Sequence, residues 1–547
     1  MTVEATAGPR RETRRETLVS LPEDKRAAAA QGMLHAWWAA RIPDRLAVIS
    51  PHGDRTYEDL NHEINRVARA LRARGLKEGD AIALMCTNGP EFLEVLYAAQ
   101  RIGLRLTPIN WHLTGEEASY IVENCEAKAF VCSGELGESV TIAAEGGGPG
   151  LVKINTGGYL PGFEMYNTVV AAEESSDIDD PVMGTQMLYT SGTTGRSKGV
   201  HRSTAAVSAL AVVNFCGYDE DWATSTDAHL LTGPLYHAAP LAFSVAVPFL
   251  YGVPVVIMDH WEAVEALRLI ETHGITHTHM VPTMFHRLVA LPAETRQRYD
   301  TSSLRFIIHG AAPCPVPIKQ RLIEWLGPIV VEYYAATEGL GTLVDSKTWL
   351  EHPGTVGRPM VPGLVKVADE DGNDLPAGEI GLVFLQAPAA TKFDYYGDTE
   401  KTADAFRGDY FTLGDMGYMD EDGFLFLTDR TANLIISGGV NIYPAEVDAV
   451  LLEHPAVGDV ATIGVPDEEW GEAVKAVVQP AEGVEGTAAL ATELMEFCRA
   501  HLAHFKCPRS VDFVSELPRE DTGKIFKRKL REQYRTASAG SDQNQRS

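Results

Sequence analysis

The sequence predicts an α/β protein: a large N-terminal domain of α/β subdomains plus a β-rich subdomain, followed by a small α+β C-terminal domain. Three observations carry this. Up to about Glu351, apolar strand-like runs alternate with helix-period segments, the pattern of parallel sheets covered by helices. Beyond Glu351 the strands shorten and lie between Gly- and Asp-rich turns, and from Asn433 helices and strands mix again. The chain has 547 residues, too many for one core, because single hydrophobic cores stop growing at roughly 250–300 residues.

The elements follow in order. Arg55-Thr-Tyr-Glu-Asp-Leu60 opens a helical pattern with Ile64, Val67, Ala68 and Leu71 on one face, and Gly75 ends it. Ala81 to Cys86 reads as a buried strand, and Pro90 starts a helix through Arg101. Strands are expected at 129–132, 230–232, 254–258 and 306–308, then at 365–368, 381–385 and 424–427 in the β-rich part. The last part carries strands at 433–436 and 461–465 and helices at 444–452 and 488–501. The resulting division is a polar N-terminal tail 1–20, an N-terminal domain 21–428, a boundary at 429–432, a C-terminal domain 433–535 and a polar tail 536–547. Both tails have the composition of disordered segments.

The balance of 47 basic against 75 acidic side chains leaves a net charge of −28, which argues against nucleic acid as a partner. It does not argue against a small phosphate ligand, since a few placed cations can hold one in a cleft. Seven cysteines without a Cys-x-x-Cys pair suggest neither a disulfide framework nor a zinc site, and a reducing cytoplasm is the expected location. The N-terminus lacks the apolar segment of a secretory signal. The long apolar stretch from His237 to Met258 is cut by Pro240, Pro248, Gly252 and Pro254, so it reads as buried helix, turn and strand, not a membrane span.

The most informative segment is Tyr189-Thr-Ser-Gly-Thr-Thr-Gly-Arg-Ser-Lys-Gly-Val200. Glycines permit turns that aim several amides at one anion, and the hydroxyls and Lys198 add donors and charge. The order is not that of the ordinary P-loop, because Lys198 precedes Gly199. Ser191-Gly-Thr-Thr-Gly-Arg-Ser-Lys198-Gly199 resembles the phosphate loop of the adenylate-forming superfamily, which includes acyl-coenzyme A synthetases, peptide-synthetase adenylation domains and beetle luciferases. The resemblance runs from about Leu34 to Arg531, with further motifs in the family's order.

What this resemblance implies can be placed residue by residue. Thr190, Ser191, Gly192, Thr193, Thr194, Gly195 and Lys198 would hold phosphate, with Thr193 also near the metal. Pro234-Leu-Tyr-His237 resembles the segment bordering the acyl carboxylate, which makes His237 and Ala238 acyl-site residues. Gly310, Ala311 and Ala312, after the strand at 306–308, would line adenine, and Gly310 and Ala335 the acyl pocket. In Glu332-Tyr-Tyr-Ala-Ala-Thr-Glu-Gly339, Glu332, Tyr333 and Tyr334 belong to the nucleotide site, with Glu332 and Tyr333 flanking adenine. Thr337 would face phosphate, and Glu338 would supply a hard oxygen to Mg²⁺. Gly408-Asp-Tyr-Phe-Thr-Leu-Gly-Asp415 ends in the ribose-binding aspartate. Asp429-Arg430 resembles the hinge, with Arg430 reaching the ribose; where the family often continues Lys-Asp, this chain has Ala432-Asn433. Ser437, Gly438 and Gly439 would face the pantetheine arm of coenzyme A, and Leu517-Pro-Arg-Glu-Asp-Thr-Gly-Lys524 supplies the catalytic lysine, Lys524.

The implied activity uses ATP, Mg²⁺ and coenzyme A. A carboxylate attacks the α-phosphorus and expels pyrophosphate, and a thiol then takes the acyl group and releases AMP. The C-terminal domain is expected to be mobile, rotating between the two steps. Ala238 stands where amino-acid activators carry an aspartate, against that branch. An acyl-AMP ligase loading a carrier protein stays open, as do a luciferase-like oxygenase, a binding-only homologue and a homodimer. The runs 238–246 and 281–285 suggest a roomy apolar pocket, suited to a fatty or a bulky cyclic acid.

Overall fold

The computed structural model describes residues 22–190, 197–202, 216–388, 392–430, 433–437, 440–467, 470–519 and 525–534. Both tails, and with them the expectation that they are disordered, lie outside the described residues.

Two α/β layers form the bulk of the chain. In the first, strands Glu164–Met165, Val152–Thr156, Ala127–Ser133, Ala81–Met85, Arg105–Pro108 and Thr185–Gln186 lie side by side, all parallel. The second sheet has a parallel centre, Leu46–Ile49, Val255–Ile257, His229–Leu231, His277–Met280, Phe306–His309 and Val330–Ala336. Antiparallel strands Arg55–Thr56 on one side, and Gly339–Asp345 and Arg358–Pro359 on the other, complete it. Helices Tyr57–Ala73 and Pro90–Arg101 pack between the two sheets, with Leu60, Ile64, Phe92 and Leu96 in one continuous core. The Tyr57–Ala73 helix starts where the sequence places it, because Thr56 and Asp59 form a reciprocal capping box.

The β-rich part is an antiparallel sheet of Val365–Ala368, Gly381–Gln386, Tyr410–Met419 and Phe406–Arg407, with Leu425–Arg430 against Tyr410–Met419. A short sheet of Leu188–Thr190, Lys198–His201 and Asp394–Tyr395 joins it to the α/β layers. The last part is a sheet of Val440–Ile442, Ile435–Ser437, Gly471–Pro480 and Val457–Asp467, with Ser510–Phe513 parallel at its side and helices Pro444–Leu451 and Ala488–His501 packed in one core.

The apolar stretch after His237 divides as its breakers predict. It becomes a π-helix at Pro240–Ala246, an α-helix at Val247–Tyr251 and the strand Val255–Ile257. The π-helical winding is a difference from the sequence reading, which expected an ordinary helix; such turns concentrate at functional sites. Gly252 closes the segment with φ +71°, and a Cβ there would come within 2.9 Å of the Trp38 ring, so only glycine fits. Among the described residues no helix is long and apolar enough to cross a membrane.

Candidate active site

In open α/β sheets ligands bind outside the carboxyl ends of the parallel strands. Strands His277–Met280, Phe306–His309 and Val330–Ala336 end together on one edge, and the sequence-predicted residues gather there.

The strands on either side of the expected phosphate loop form a hairpin. Leu188–Thr190 and Lys198–His201 run antiparallel with Thr190 opposite Lys198 and Gly199 opposite Tyr189. Ser191, Gly192, Thr193, Thr194 and Gly195 lie outside the described residues; the strands on either side pair at three positions, the last being Thr190 with Lys198. The Lys198 Nζ sits 4.7 Å from the Tyr395 ring centroid, and the Tyr395 hydroxyl donates to Glu338 Oε1 at 3.0 Å. Arg202 donates from Nη2 to the carbonyls of Thr337 and Glu338, both at 2.8 Å. Two segments far apart in sequence, each predicted to face phosphate, are thus tied to one another.

The charges here are in tension. Burial pushes the Glu338 carboxyl above its usual range, with Tyr395, Arg202 and Lys198 opposing. Burial and the nearby Lys401 ammonium push the Lys198 amine down, while Glu338 and Asp398 pull it up. Two cations, Lys198 and Arg202, act on the buried Glu338 carboxylate, while the neighbouring Lys401 is paired with Asp398 at 3.0 Å. No group of three or more His, Cys, Asp or Glu among the described residues could enclose a metal. Glu338 fits a different arrangement. Its carboxylate is buried and incompletely compensated, and Mg²⁺ is commonly held by one or two carboxylates together with substrate phosphates.

The residues expected at the ribose lie on the β-rich sheet. Asp415 is the cross-strand partner of Arg430 and is nearly buried. Its Oδ2 accepts from the Tyr334 hydroxyl at 2.8 Å, so Tyr334 and Asp415 link two sheets.

Glu332 and Tyr333, expected to flank adenine, have side chains held by protein partners. Successive residues of a strand point to opposite faces. The Glu332 carboxylate binds the buried Lys319 ammonium at 2.6 Å, with His309 Nε2 at 3.7 Å. Tyr333 points the other way, sharing a hydrogen bond with His279 Nε2 at 3.0 Å. Glu332 is therefore a buried ion-pair partner, and Tyr334 is the tyrosine that reaches the ribose-side aspartate.

Gly310 packs on Tyr333 so closely that a Cβ would lie 2.7 Å from the ring's Cζ. Ala311 adopts φ +68°, an unusual conformation for a residue with a side chain, while Ala312 follows it half-buried. His237 is half-buried beside Tyr236, with ring centroids 4.6 Å apart, and its carbonyl accepts from Leu241 as the π-helix begins. Ala238 leads into that helix. Phe243 from the helix, with Ala335, packs on Tyr333. Part of the runs 238–246 and 281–285 packs into the cores. Leu241 and Val245 are spent on the inter-sheet core, and Phe285 on the second sheet's core.

At the boundary, the Asp429 carboxylate accepts from the Asn433 amide at 3.0 Å and from the Ala445 N–H at 3.1 Å, in the first turn of Pro444–Leu451. Asn433 thus keeps a neutral hydrogen bond at the departure noted above. Ser437 is buried and pairs with Gly471, while Gly438, Gly439 and Lys524 lie outside the described residues. Arg202, Tyr395, Lys401 and Lys319 escaped the sequence reading; only Arg202 had a local signal, a second cation just past the phosphate loop.

The AMP-binding enzyme family pattern matches residues 35–393, and that of the AMP-binding enzyme C-terminal domain matches residues 446–524. The chain belongs to the AMP-binding enzyme family. This AMP-binding enzyme is 34% identical over 500 residues to 2-succinylbenzoate–CoA ligase of Bacillus licheniformis, covering 90% of the chain and 98% of that protein. It is 33% identical over 513 residues to the fatty acid–[acyl-carrier-protein] ligase ScoC of Streptomyces coeruleorubidus, covering 91% and 95%. Its fold matches the ATP-bound crystal structure of MatB from Rhodopseudomonas palustris with a TM-score of 0.79 and 30% identity, over 92% of the chain and 99% of that one.

Proposed function

We propose that this AMP-binding enzyme is an acid–thiol ligase that activates a carboxylic acid as its acyl-adenylate and passes the acyl group to coenzyme A. The observation that carries the reading is the tie between Lys198, Arg202, Tyr395 and Glu338 on the phosphate side, with Tyr334, Asp415 and Arg430 on the ribose side.

In the first half-reaction, a carboxylate oxygen of the acid bonds to the α-phosphorus of ATP, and the bond to the leaving pyrophosphate oxygen breaks. Both reactants are anions, so placed cations set the barrier. Lys198 and the amides and hydroxyls of 191–195 hold the phosphates, with Arg202 fixing the Thr337–Glu338 backbone beside them. Glu338 and Thr193 would hold Mg²⁺, whose chemistry when bound is to neutralise phosphate charge. Asp415 accepts from the ribose hydroxyls, Tyr334 and Arg430 orient it, and Gly310, Ala311 and Ala312 let the base approach the backbone. Lys524 stabilises the charge developing in the first step.

In the second half-reaction the coenzyme A thiolate sulfur bonds to the acyl carbon, and the carbon–oxygen bond to AMP breaks. We assign the hinge to 429–432, between an N-terminal domain 21–428 and a C-terminal domain 433–535 that rotates to bring Ser437, Gly438 and Gly439 to the site. The half-exposed Ile436 and Val440 beside them suit a slender apolar arm. A reducing cytoplasm fits seven free cysteines, six of them buried.

The test is a panel of acids with Mg·ATP, following pyrophosphate and AMP with and without coenzyme A. Acid-dependent pyrophosphate release followed by coenzyme A-dependent thioester is expected. Pyrophosphate without thioester would transfer the assignment to carrier-protein loading, the reading that the ScoC similarity favours. Lys524→Ala should abolish adenylation while sparing thioester formation from supplied acyl-adenylate; equal loss of both refutes the rotation.

A further inference from the structure

Three side chains from three elements pack together beside Gly310, which the family resemblance places at the acyl pocket. Tyr333, at the heart of the strand Val330–Ala336, lays its ring on the Gly310 backbone, where a Cβ would come within 2.7 Å of Cζ and 2.8 Å of Cε1. Phe243 of the π-helix lies 4.8 Å from that ring, centroid to centroid. His279, near the carboxyl end of its strand, stacks on Phe243 at 5.6 Å with the planes 5° apart, and its Nε2 is 3.0 Å from the Tyr333 hydroxyl. All three are buried, and burial holds His279 neutral.

The position matters because of its neighbours. Gly310 and Ala335 lie at the ends of the strands that carry the nucleotide-side residues, and Tyr333 is adjacent in sequence to Tyr334, whose hydroxyl meets Asp415. With Gly310 taken as an acyl-pocket residue from the family resemblance, an acid bound for adenylation would extend its tail toward Gly310. The phenol ring stands there. It cannot swing aside cheaply, since doing so would strand a buried hydroxyl and a buried imidazole without partners.

Resting on the ligase reading above, we propose that Tyr333, held by His279 and backed by Phe243, sets a length limit on the acyl site, so that this enzyme takes compact acids of short-chain or single-ring size and rejects long unbranched chains. A rigid wall discriminates strongly, since even one methylene in an apolar pocket is worth roughly 10- to 200-fold.

The experiment measures calorimetric Kd values for sulfamoyl-adenosine mimics of the acyl-adenylate bearing acetyl, benzoyl, octanoyl and palmitoyl groups, in the full chain and in Tyr333→Ala and Tyr333→Phe. The wild type should bind the acetyl and benzoyl mimics at least about 10-fold more tightly than the palmitoyl one. Tyr333→Phe, which keeps the ring, should retain that order, and Tyr333→Ala should narrow or invert it. Equal or tighter palmitoyl binding by the wild type overturns the inference even if Tyr333→Ala fails to fold. An order unmoved in a folded Tyr333→Ala overturns it as well. Binding of AMP with none of the four mimics would overturn the ligase reading and this inference together, whereas the other two outcomes leave the ligase reading standing.

Discussion

Replacing Lys319 by methionine should be among the most damaging single changes in the second sheet. The Lys319 ammonium is completely buried, lies 2.6 Å from the Glu332 carboxylate, and sits 4.6 Å from the Trp349 ring centroid. Methionine fills most of the space but leaves Glu332 buried without its cation. Breaking a buried pair from one side costs about 3–5 kcal/mol, because the remaining charge is uncompensated. Burial already pushes the Glu332 carboxyl above its usual range and Lys319 opposes that push, so its removal drives the group toward protonation. If this lobe melts as a unit of roughly 200 residues, that cost lowers Tm by about 10 °C. Differential scanning fluorimetry at neutral pH reads it, with Lys319→Met/Glu332→Gln as the control. The double variant should recover most of the loss, since replacing both partners is often near neutral. A Tm drop below about 3 °C for the single variant would show that the pair does not carry the load argued here. The effect should also reach the ligand, because Glu332 begins the Tyr333-Tyr334 segment: the KM for ATP should rise.

Other outcomes follow from the same geometry. Tyr334→Phe removes a hydrogen bond to a carboxylate, worth about 1.5 kcal/mol at this half-buried position, so the KM for ATP should rise roughly 10-fold with kcat less affected. Glu338→Gln should lower the adenylation rate by about 10²–10³-fold in a pyrophosphate assay, as for other preorganised charged groups. Ala311→Gly, at φ +68°, should raise stability by up to about 1 kcal/mol in denaturant melts, provided the left-handed strain outweighs the added freedom of the unfolded chain. Burial lowers His277 to about 4 and His279 to about 3. Their folded values lie below the unfolded one, so their contribution is present above about pH 6.5 and is lost as pH falls toward about 4. Thermal melts between pH 7 and 5 should show that decline, and His277→Phe should flatten it.

The legible parts of the fold were those with a local cause. Helix Pro90–Arg101 begins at its proline, and helix Ala488–His501 follows its N-cap Thr487, whose side chain accepts from Leu490. The strand at 365–368 is bounded by its turns. Lys198, Glu338 and Asp415 were assigned from short ordered motifs. Arg202, Tyr395 and Lys401 were not legible, since they join Glu338 and Lys198 only through folding across a long separation. The Glu332–Lys319 pair was not legible, because Lys319 lies on a helix with nothing in its pattern to mark it. The π-helix was illegible for a different reason: the apolar content of 240–246 suits either winding, and packing of Phe243 against His279 and Tyr333 is a tertiary fact.

The rung between Thr190 and Lys198 bears on how this protein can change over evolutionary time. A strand's side chains alternate faces, so a one-residue slip turns every one of them over. Deleting or inserting a single residue between Thr190 and Lys198 would either break that rung or displace Lys198 from Tyr395 and Val200 from its partner strand. Point substitutions within the loop leave the register alone. Gaps and substitutions in this loop should therefore fail for different reasons, the first by misplacing Lys198 and the second by removing the donors proposed to hold phosphate.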